Sequence, residues 1–286
     1  MAMTGASSSN AVLRGALCLL GTAFCWSFMG IFTKSNTQSP FLIGGVTAIV
    51  MLAFILVVGH PRLTLNKTVV LAGLSAFGTG VTFNFANQLT TVGNAIVLQY
   101  TSMIFVILYQ SLSERRLPEL RRIAVVVAAF AGMALFFMGS LSAEGMVGNI
   151  LAIVSGATFG MQFFLNSRPE ASPLTSAAIS CCCSITVLLL FMTPQLPFVR
   201  PIEWCYMIAS GAFCSGLANI LFSKGIGRVP AFTANLICMS EVIMAPTWSF
   251  FLFGETFSAS ALAGAALIVS SIVVNLVLDA RSRVEA

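Results

Sequence analysis

Apolar runs long enough to cross a membrane recur along this chain, and they constrain its fold more than any other feature. Each run has about 20 residues, the length of a membrane-spanning helix, and ends at a cluster of polar residues, Gly or Pro. Only 8% of the 286 residues are charged and the mean hydropathy is +0.97, whereas roughly a quarter of the residues in soluble domains are charged. The sequence therefore predicts an all-α, multi-pass integral membrane protein and not a soluble enzyme.

The positions of these runs predict ten transmembrane helices. The helices are expected at residues 12–33, 41–59, 68–90, 95–113, 121–139, 147–167, 173–193, 203–223, 231–253 and 259–278. Several connections are only a few residues long, so consecutive helices should run antiparallel. The first run is longer than a signal-peptide core and no cleavage-like site follows it, so it is expected to remain as the first span.

The basic residues predict the orientation of these helices. If the N-terminus is cytoplasmic, only Lys34 and Arg200 of the 14 Lys and Arg residues lie outside. The others lie inside: Arg14, Arg62, Lys67, Arg115, Arg116, Arg121, Arg122, Arg168, Lys224, Arg228, Arg281 and Arg283. This asymmetry follows the positive-inside rule, and it predicts a protein of the plasma membrane, the bacterial inner membrane, with both termini cytoplasmic. Because orientation explains the net charge of +5, no nucleic-acid partner is expected.

The chain also repeats itself. Residues 17–34 resemble residues 151–168 at an offset of 134 (151 − 17), and Ser113-Glu114 resembles Gly254-Glu255 at an offset of 141 (254 − 113). The difference requires about seven inserted residues between the two matches. Each repeat is then half the chain, with five helices. Because five is odd, the second copy enters the membrane upside down, which is the inverted-repeat architecture of many secondary transporters.

Several short motifs resemble the EamA repeat of the drug/metabolite transporter superfamily. The motifs are Phe-Cys-Trp-Ser-Phe before Lys34, Leu-Ser-Glu-Arg-Arg-Leu after the fourth helix, and Ser240-Glu241 and Phe-Gly-Glu-Thr-Phe in the second copy. The resemblance covers residues 12–279, as one repeat at 12–139 and a second at 147–279. Val242 follows Glu241 where the family often has Pro. Pro246 comes later, where it is expected to kink the ninth helix.

Two further stretches carry a functional resemblance. Residues 59–62 (GHPR) and 192–195 (MTPQ) resemble the YddG-type aromatic amino acid exporters of that superfamily. The resemblance implies ten helices around a central cavity, and export of aromatic or other neutral amino acids, or related metabolites, by alternating access. The alternative is transport of other metabolites such as nucleosides, vitamins or drugs. A membrane-embedded enzyme or a non-transporting scaffold is less favoured, because the sequence has neither a catalytic cluster nor a signalling domain.

Carboxamides on single helical stripes are the main candidates for a substrate cavity. Asn84, Asn87 and Gln88 share one face of the third helix, and Gln162 and Asn166 share one face of the sixth. Large amides pack poorly at close helix crossings, so these five are predicted to face a common water-filled space. The alternative is that they join helices by hydrogen bonds, the role favoured for nearby Ser and Thr. Further candidate substrate-binding residues are Trp26, Gln99, Tyr100, Asn219 and Glu241.

Glu241 is the most informative single residue, because it lies some ten residues inside an apolar span. Placing a carboxylate inside a membrane costs free energy unless the group is paired, protonated or hydrated. Three roles remain open: binding a substrate ammonium, carrying a proton, or pairing with Lys224 or Arg228. The offset of 141 (241 − 100) relates Glu241 to Tyr100 in the first repeat. The two related positions would therefore differ in chemistry, with a carboxylate at one and a phenol at the other. Such a site suits a zwitterion with an apolar side chain.

No cofactor and no catalytic residue are expected. The eight cysteines lack the paired spacings of zinc sites, and a lone His60 cannot form a metal site. The glycine-rich stretches lack the context of a phosphate-binding loop. The expected partners are a small-molecule substrate, membrane lipid and, as a candidate coupling ion, the proton.

Overall fold

A computed structural model describes residues 3–61, 63–138, 145–253 and 258–285, and in this part of the chain all regular secondary structure is helical, without strands. Its α-helices are α1 (Met3–Ser27), α2 (Met29–Lys34), α3 (Pro40–Phe54), α4 (Lys67–Leu89), α5 (Val92–Gln99), α6 (Ser102–Glu114), α7 (Leu120–Phe136), α8 (Met146–Asn166), α9 (Pro173–Val187), α10 (Pro201–Ala209), α11 (Ala218–Ile226), α12 (Ala231–Cys238), α13 (Glu241–Phe253) and α14 (Ala259–Glu285).

Three wider π-helical segments continue these helices. Ile55–Gly59 extends α3, Leu188–Met192 extends α9, and Ser210–Leu217 joins α10 to α11. A 3-10 helix, Thr193–Phe198, follows the second of them. The joined helices reach the length needed to span a bilayer, although their α-helical parts alone do not.

Seven helices within the described ranges are long and apolar enough to cross a membrane. They are Pro40–Gly59, Lys67–Leu89, Gly93–Glu114, Met146–Asn166, Pro173–Phe198, Pro201–Ile226 and Ala259–Asp279. The three other predicted spans correspond to α1 with α2, to α7, which has 17 residues, and to the interrupted pair α12 and α13. The chain is therefore a multi-pass membrane protein, and the count of ten remains a prediction.

Helices of equal length recur at constant offsets. Helices α3 and α9 each have 15 residues, start 133 positions apart (173 − 40) and continue into π segments of 5 residues. Helices α5 and α12 each have 8 residues and start 139 positions apart (231 − 92), and α6 and α13 also start 139 positions apart (241 − 102). This offset differs by two from the 141 of the sequence motifs. Gly254 and Glu255 of those motifs lie outside the described residues.

The extra residues of the second half lie around the long π segment. The starts of α4 and α10 are 134 apart (201 − 67), whereas the starts of α5 and α12 are 139 apart. Five additional residues (139 − 134) therefore lie between Pro201 and Pro230, a stretch that contains Ser210–Leu217. A π segment accommodates inserted residues without ending the helix.

The protein core surrounds α12. Every residue from Ala231 to Ser240 is buried, and α12 packs against α1, α6, α8 and α14. Large apolar side chains elsewhere remain exposed, including Val57, Leu190 and Phe251. Exposed apolar side chains over so much of the surface are expected for helices that face lipid.

Candidate functional site

Two interrupted helices meet at the centre of the molecule. Helices α5 and α6 are separated by Tyr100 and Thr101, and α12 and α13 by Met239 and Ser240. The Tyr100 hydroxyl lies 2.6 Å from Glu241 Oε1 and donates a hydrogen bond to it. Tyr100 is fully buried and Glu241 is partly exposed. A buried donor thus holds a carboxylate at the start of a half-helix, where the helix dipole favours negative charge.

Local hydrogen bonds account for both breaks. The Thr101 hydroxyl donates to the Leu98 carbonyl at 2.6 Å, and the Ser240 amide donates to the Ile237 carbonyl at 3.0 Å. These are i→i−3 contacts, which tighten a turn and interrupt the α-helical ladder. The interruption lies at Met239 and Ser240, before Pro246, the residue at which the sequence predicted a kink and which lies within α13. No Pro or Gly marks either break, so composition did not reveal them.

Glu241 has no basic partner among the residues whose side chains are described. Lys224 and Arg228 are exposed, and neither makes an ion pair with it. The structural role as a partner of Lys224 or Arg228 is therefore not the arrangement adopted here. Binding of a substrate ammonium and carriage of a proton both remain available to this carboxylate.

Aromatic side chains pack beside Tyr100 in the protein core. The Phe159 ring centroid lies 6.3 Å from Tyr100 and 5.9 Å from Trp26. Trp26 also contacts Phe222 at 6.2 Å, and Phe163 contacts both phenylalanines. The Trp26 side chain is half-buried. These rings form an aromatic wall that packs against Tyr100, the partner of Glu241, and no sequence motif had indicated Phe159.

A second polar pair lies next to Tyr100. The Ser102 hydroxyl donates to Asn235 Oδ1 at 3.1 Å, and both side chains are fully buried. In the described part of the molecule, Asn235 Nδ2 and Ser240 Oγ have no hydrogen-bond partner. Buried polar atoms without partners are uncommon and concentrate at functional positions. The helix break therefore keeps unused hydrogen-bonding capacity close to Glu241.

The other predicted residues fall into two groups. Three carboxamides make hydrogen bonds within the helix bundle: Gln99 donates to Ser155, Asn166 accepts from Ser176, and Asn219 donates to the Ser215 carbonyl. Asn84, Asn87, Gln88 and Gln162 make no side-chain hydrogen bond with any described residue. The first group joins or reinforces helices, and the second is free to contact solvent, lipid or substrate.

The five carboxamides predicted to share one space do not converge. Helices α4 and α8 run antiparallel, with Thr79 bonded to Thr158 at 2.9 Å. Asn87 is eight residues beyond Thr79, and Gln162 is four residues beyond Thr158 in the opposite direction. At 1.5 Å per residue, they lie roughly 18 Å apart along the helix axis. Residue spacing along one helix carries no information about the height of a side chain relative to those on an antiparallel neighbour.

A cavity of about 120 Å³ lies between α3, α4 and α9. Asn84, Ser180 and Ser184 contribute its polar lining, and Gly44 and Gly80 leave room for it. Of the predicted substrate-binding residues, Asn84 is the one that lines this cavity. Within the described ranges, no cluster of three or more His, Cys, Asp or Glu side chains could hold a metal ion.

Comparisons with known proteins agree with this architecture. The model of the EamA-like transporter family matches residues 13–138 and 146–277. An uncharacterized transporter of Archaeoglobus fulgidus is 28% identical over 221 residues, which is 76% of this chain and 77% of that protein. The uncharacterized transporter YetK of Bacillus subtilis is 27% identical over 264 residues, 86% of this chain and 78% of that protein.

A crystal structure extends the comparison to three dimensions. It matches with a TM-score of 0.79 at 19% identity, over 97% of this chain and 99% of that one. At this level of identity the match shows a shared fold. The relatives carry the name transporter without a named substrate, so the choice of substrate rests on the geometry of this chain.

Proposed function

Because this chain belongs to the EamA-like transporter family, we propose that it is a secondary transporter that exports an amino acid by alternating access. The observation that carries the proposal is the carboxylate of Glu241, which lies at the crossing of two broken helices, bonded to Tyr100 and without a basic partner among the described side chains. A substrate ammonium would supply the missing positive charge. The aromatic wall of Trp26 and Phe159 would receive an apolar or aromatic side chain.

The proposal includes two inverted five-helix repeats and ten spans. Its support is the recurrence of equal helix lengths at offsets of 133 (173 − 40) and 139 (231 − 92), together with the two family repeats matched at residues 13–138 and 146–277, each predicted to contain five helices. We propose that the breaks of α5/α6 and α12/α13, which the Tyr100–Glu241 hydrogen bond joins, lie near the twofold axis between such repeats. A binding site on this axis can be opened alternately from either side.

The proposed orientation places both termini in the cytoplasm of a bacterial cell and the substrate exit outside. It is supported by the distribution of Lys and Arg, which favours one side of the predicted spans. Export of amino acids is favoured by the resemblance to aromatic amino acid exporters. The alternative substrate is another metabolite with a cationic amine. Its amine would bind the same carboxylate, and the rest of the molecule would contact the aromatic wall in place of an amino acid side chain.

Glu241→Gln tests the proposal in purified protein and proteoliposomes. Gln keeps the size of the side chain and removes its charge. Affinity for neutral amino acids should fall about 10- to 100-fold, because a charge-assisted hydrogen bond contributes roughly 1.5–3 kcal/mol. Affinity for the matching carboxylic acids without an ammonium group should change little. Glu114→Gln is the control, since Glu114 is exposed on the surface.

The same variant separates the two roles of the carboxylate. If Glu241 carries the coupling proton, binding persists in Glu241→Gln and flux becomes independent of an imposed pH gradient. Unchanged binding and an unchanged response to the gradient, in a folded variant, would reject this site. A panel in which no amino acid binds the wild-type protein while another cationic metabolite does would assign the alternative substrate class.

A further inference from the structure

A buried carboxylate fastens a loop at one end of the molecule. Glu203, in the first turn of α10, is fully buried and accepts five hydrogen bonds. Three come from the loop between α2 and α3: the Thr37 amide at 3.0 Å, the Thr37 hydroxyl at 2.6 Å and Gln38 Nε2 at 2.9 Å. Arg200 supplies the other two, through its amide and its guanidinium.

Glu203 acts on two segments at once. Its bond from the Arg200 amide caps its own helix, because the first-turn amides of a helix lack partners within it. Its bonds from Thr37 and Gln38 hold a different segment against that helix. Asn36 adds a bond to the Glu203 carbonyl at 3.4 Å. We call this set, Asn36, Thr37, Gln38, Arg200 and Glu203, the Glu203 latch.

A related contact lies at the opposite end. The loop before α9 carries Glu170, whose carboxylate accepts from the Thr68 hydroxyl at 3.0 Å, in the first turn of α4. Asn66 caps α4 through Val69 and also donates to the Glu170 carbonyl at 2.8 Å. This set, Asn66, Thr68 and Glu170, is the Glu170 latch. The span Pro173–Phe198 begins beside Glu170 and ends beside Arg200, so the two latches lie at opposite faces of the protein.

The two latches occupy equivalent positions in the two halves of the chain. Thr37 lies two residues before Ser39-Pro40, and Glu170 lies two residues before Ser172-Pro173, at the offset of 133 (170 − 37) that relates α3 to α9. Donor and acceptor are exchanged between them. In one latch the loop provides Thr and the helix provides Glu; in the other the loop provides Glu and the helix provides Thr.

The latches differ greatly in strength. The Glu203 carboxylate is fully buried and held by five bonds, whereas Glu170 and its bonds from Asn66 and Thr68 are exposed. A buried charge-assisted bond is stronger than an exposed one, and water replaces the exposed one at little cost. Opening the Glu203 end therefore costs more than opening the Glu170 end.

We propose that these unequal latches set the conformational preference of the transporter, holding the Glu203 end closed while the Glu170 end opens first. The proposal rests on alternating access, the proposed function. In such a cycle each end must release its loop from the first turn of the facing helix. The ratio of the two open states then follows the difference in free energy between the latches.

Cysteine labelling of purified protein in detergent tests this without substrate. In a background without native cysteines, S210C reports on the Glu203 end and S176C on the Glu170 end. Ser210 is 2% exposed and Ser176 1% exposed. Ser210 contacts Met29 near the outer part of the first predicted span, and Ser176 lies against Gly73 of α4. Both should react with a maleimide only when their end opens.

Glu203→Gln should raise the labelling rate of S210C by about tenfold, because the closed Glu203 end loses hydrogen bonds, and should not raise that of S176C. The Gln amide group would face donors that now meet carboxylate oxygens, so the latch loses bonds in either side-chain orientation. Thr37→Val, at an exposed position, should act in the same direction with a smaller effect. It keeps the test valid if Glu203→Gln fails to fold.

The matched control is Glu170→Gln, which should raise labelling of S176C by no more than about threefold, because its bonds are exposed. Unchanged labelling of S210C in both Glu203→Gln and Thr37→Val would overturn the proposal, as would equal acceleration of both reporters, which indicates general loosening. These outcomes leave the proposed function untouched if the variants still bind and transport amino acids. Failure of the proposed function itself would be seen in a different measurement, as the absence of amino acid binding by the wild-type protein.

Discussion

The Tyr100 hydroxyl and Glu241 Oε1, 2.6 Å apart, connect the interruptions of two helices that are distant in sequence. The tyrosine supplies the one hydrogen bond to the Glu241 side chain found among the described residues. It thus stabilises a carboxylate that has no basic partner there.

Tyr100→Phe is expected to lower thermal stability in the absence of substrate, by about 1.5–3 kcal/mol, because it leaves the carboxylate without its donor. Saturating amino acid should recover part of this loss, since the ammonium group then contacts Glu241. Thermal unfolding of the purified variant, with and without ligand, measures both effects.

Tyr109→Phe is the control for the loss of a phenolic hydroxyl. Tyr109 donates to the Ala157 carbonyl at 3.2 Å, and its ring is half-buried. Its removal should cost about 0.5–1.5 kcal/mol, the value of a neutral bond, with no ligand-dependent recovery. Equal losses in the two variants would contradict a special role for the Tyr100–Glu241 contact.

The sequence predicted the character of the fold and two residues of the site. An apolar period of about 20 residues and repeated motifs indicated a helical membrane protein, a prediction that agrees with the seven span-length helices and the two matched family repeats. The sequence offset of 141 related Tyr100 to Glu241, and the structure brings the two into contact. Under the structural offset of 139, Glu241 corresponds to Ser102, so the contact arises beside the helix crossing and not from strict equivalence.

The heights of side chains along neighbouring helices could not be predicted. The spacing of amide side chains predicts which of them share one face of a helix. The axial register between α4 and α8 depends instead on close packing, such as that of Gly148 against Leu89 and Thr90. The Glu203 latch was also missed. Its only sequence signal is Arg-Pro-x-Glu at a helix start, and the partner loop is 166 residues away from Glu203 in the chain.

Helices α7 and α14 approach closely at Gly132 and Gly264. A Cβ on Gly264 would lie 2.5 Å from the Gly132 carbonyl oxygen and 2.5 Å from the Phe136 amide nitrogen. Gly264→Ala should therefore destabilise the protein by about 1–3 kcal/mol through overpacking against backbone that cannot move aside. Thermal unfolding in detergent measures the change.

Gly80→Ala is the matched control, because a Cβ at Gly80 meets no atom within 4 Å. Alanine is favoured over glycine in a helix by about 1 kcal/mol, so this variant should be as stable as the wild type or more stable. A neutral Gly264→Ala would indicate that α7 and α14 separate readily and that their close contact contributes little.

Topology can be measured directly in cells. Reporter fusions or labelling of single cysteines should place both termini and the loop at residues 115–120 in the cytoplasm, and the loop at residues 35–39 outside. The physical reason is the concentration of Arg and Lys in the former segments. An external C-terminus would contradict both the ten-span count and the inverted repeats.

The last prediction separates residues that join helices from residues that contact substrate. Ser155 is fully buried, accepts from Gln99 Nε2 at 3.0 Å and donates to the Thr79 carbonyl at 3.2 Å. Ser155→Ala should reduce stability by about 1–2 kcal/mol, near the upper range for polar contacts between membrane helices, because it leaves Gln99 without its acceptor. The affinity for amino acids should be unchanged, since both bonds lie within the helix bundle.

Asn84→Ala should have the opposite pattern. Asn84 lines the cavity between α3, α4 and α9 and makes no side-chain hydrogen bond with the described residues, so its truncation removes no internal hydrogen bond and stability should persist. If that cavity belongs to the transport route, the flux of amino acids in proteoliposomes falls by several-fold. Two results together would reverse the two assignments: an unstable Asn84→Ala variant with normal flux, and a stable Ser155→Ala variant with reduced flux. The transport route would then lie beside Gln99 and not in the cavity between α3, α4 and α9.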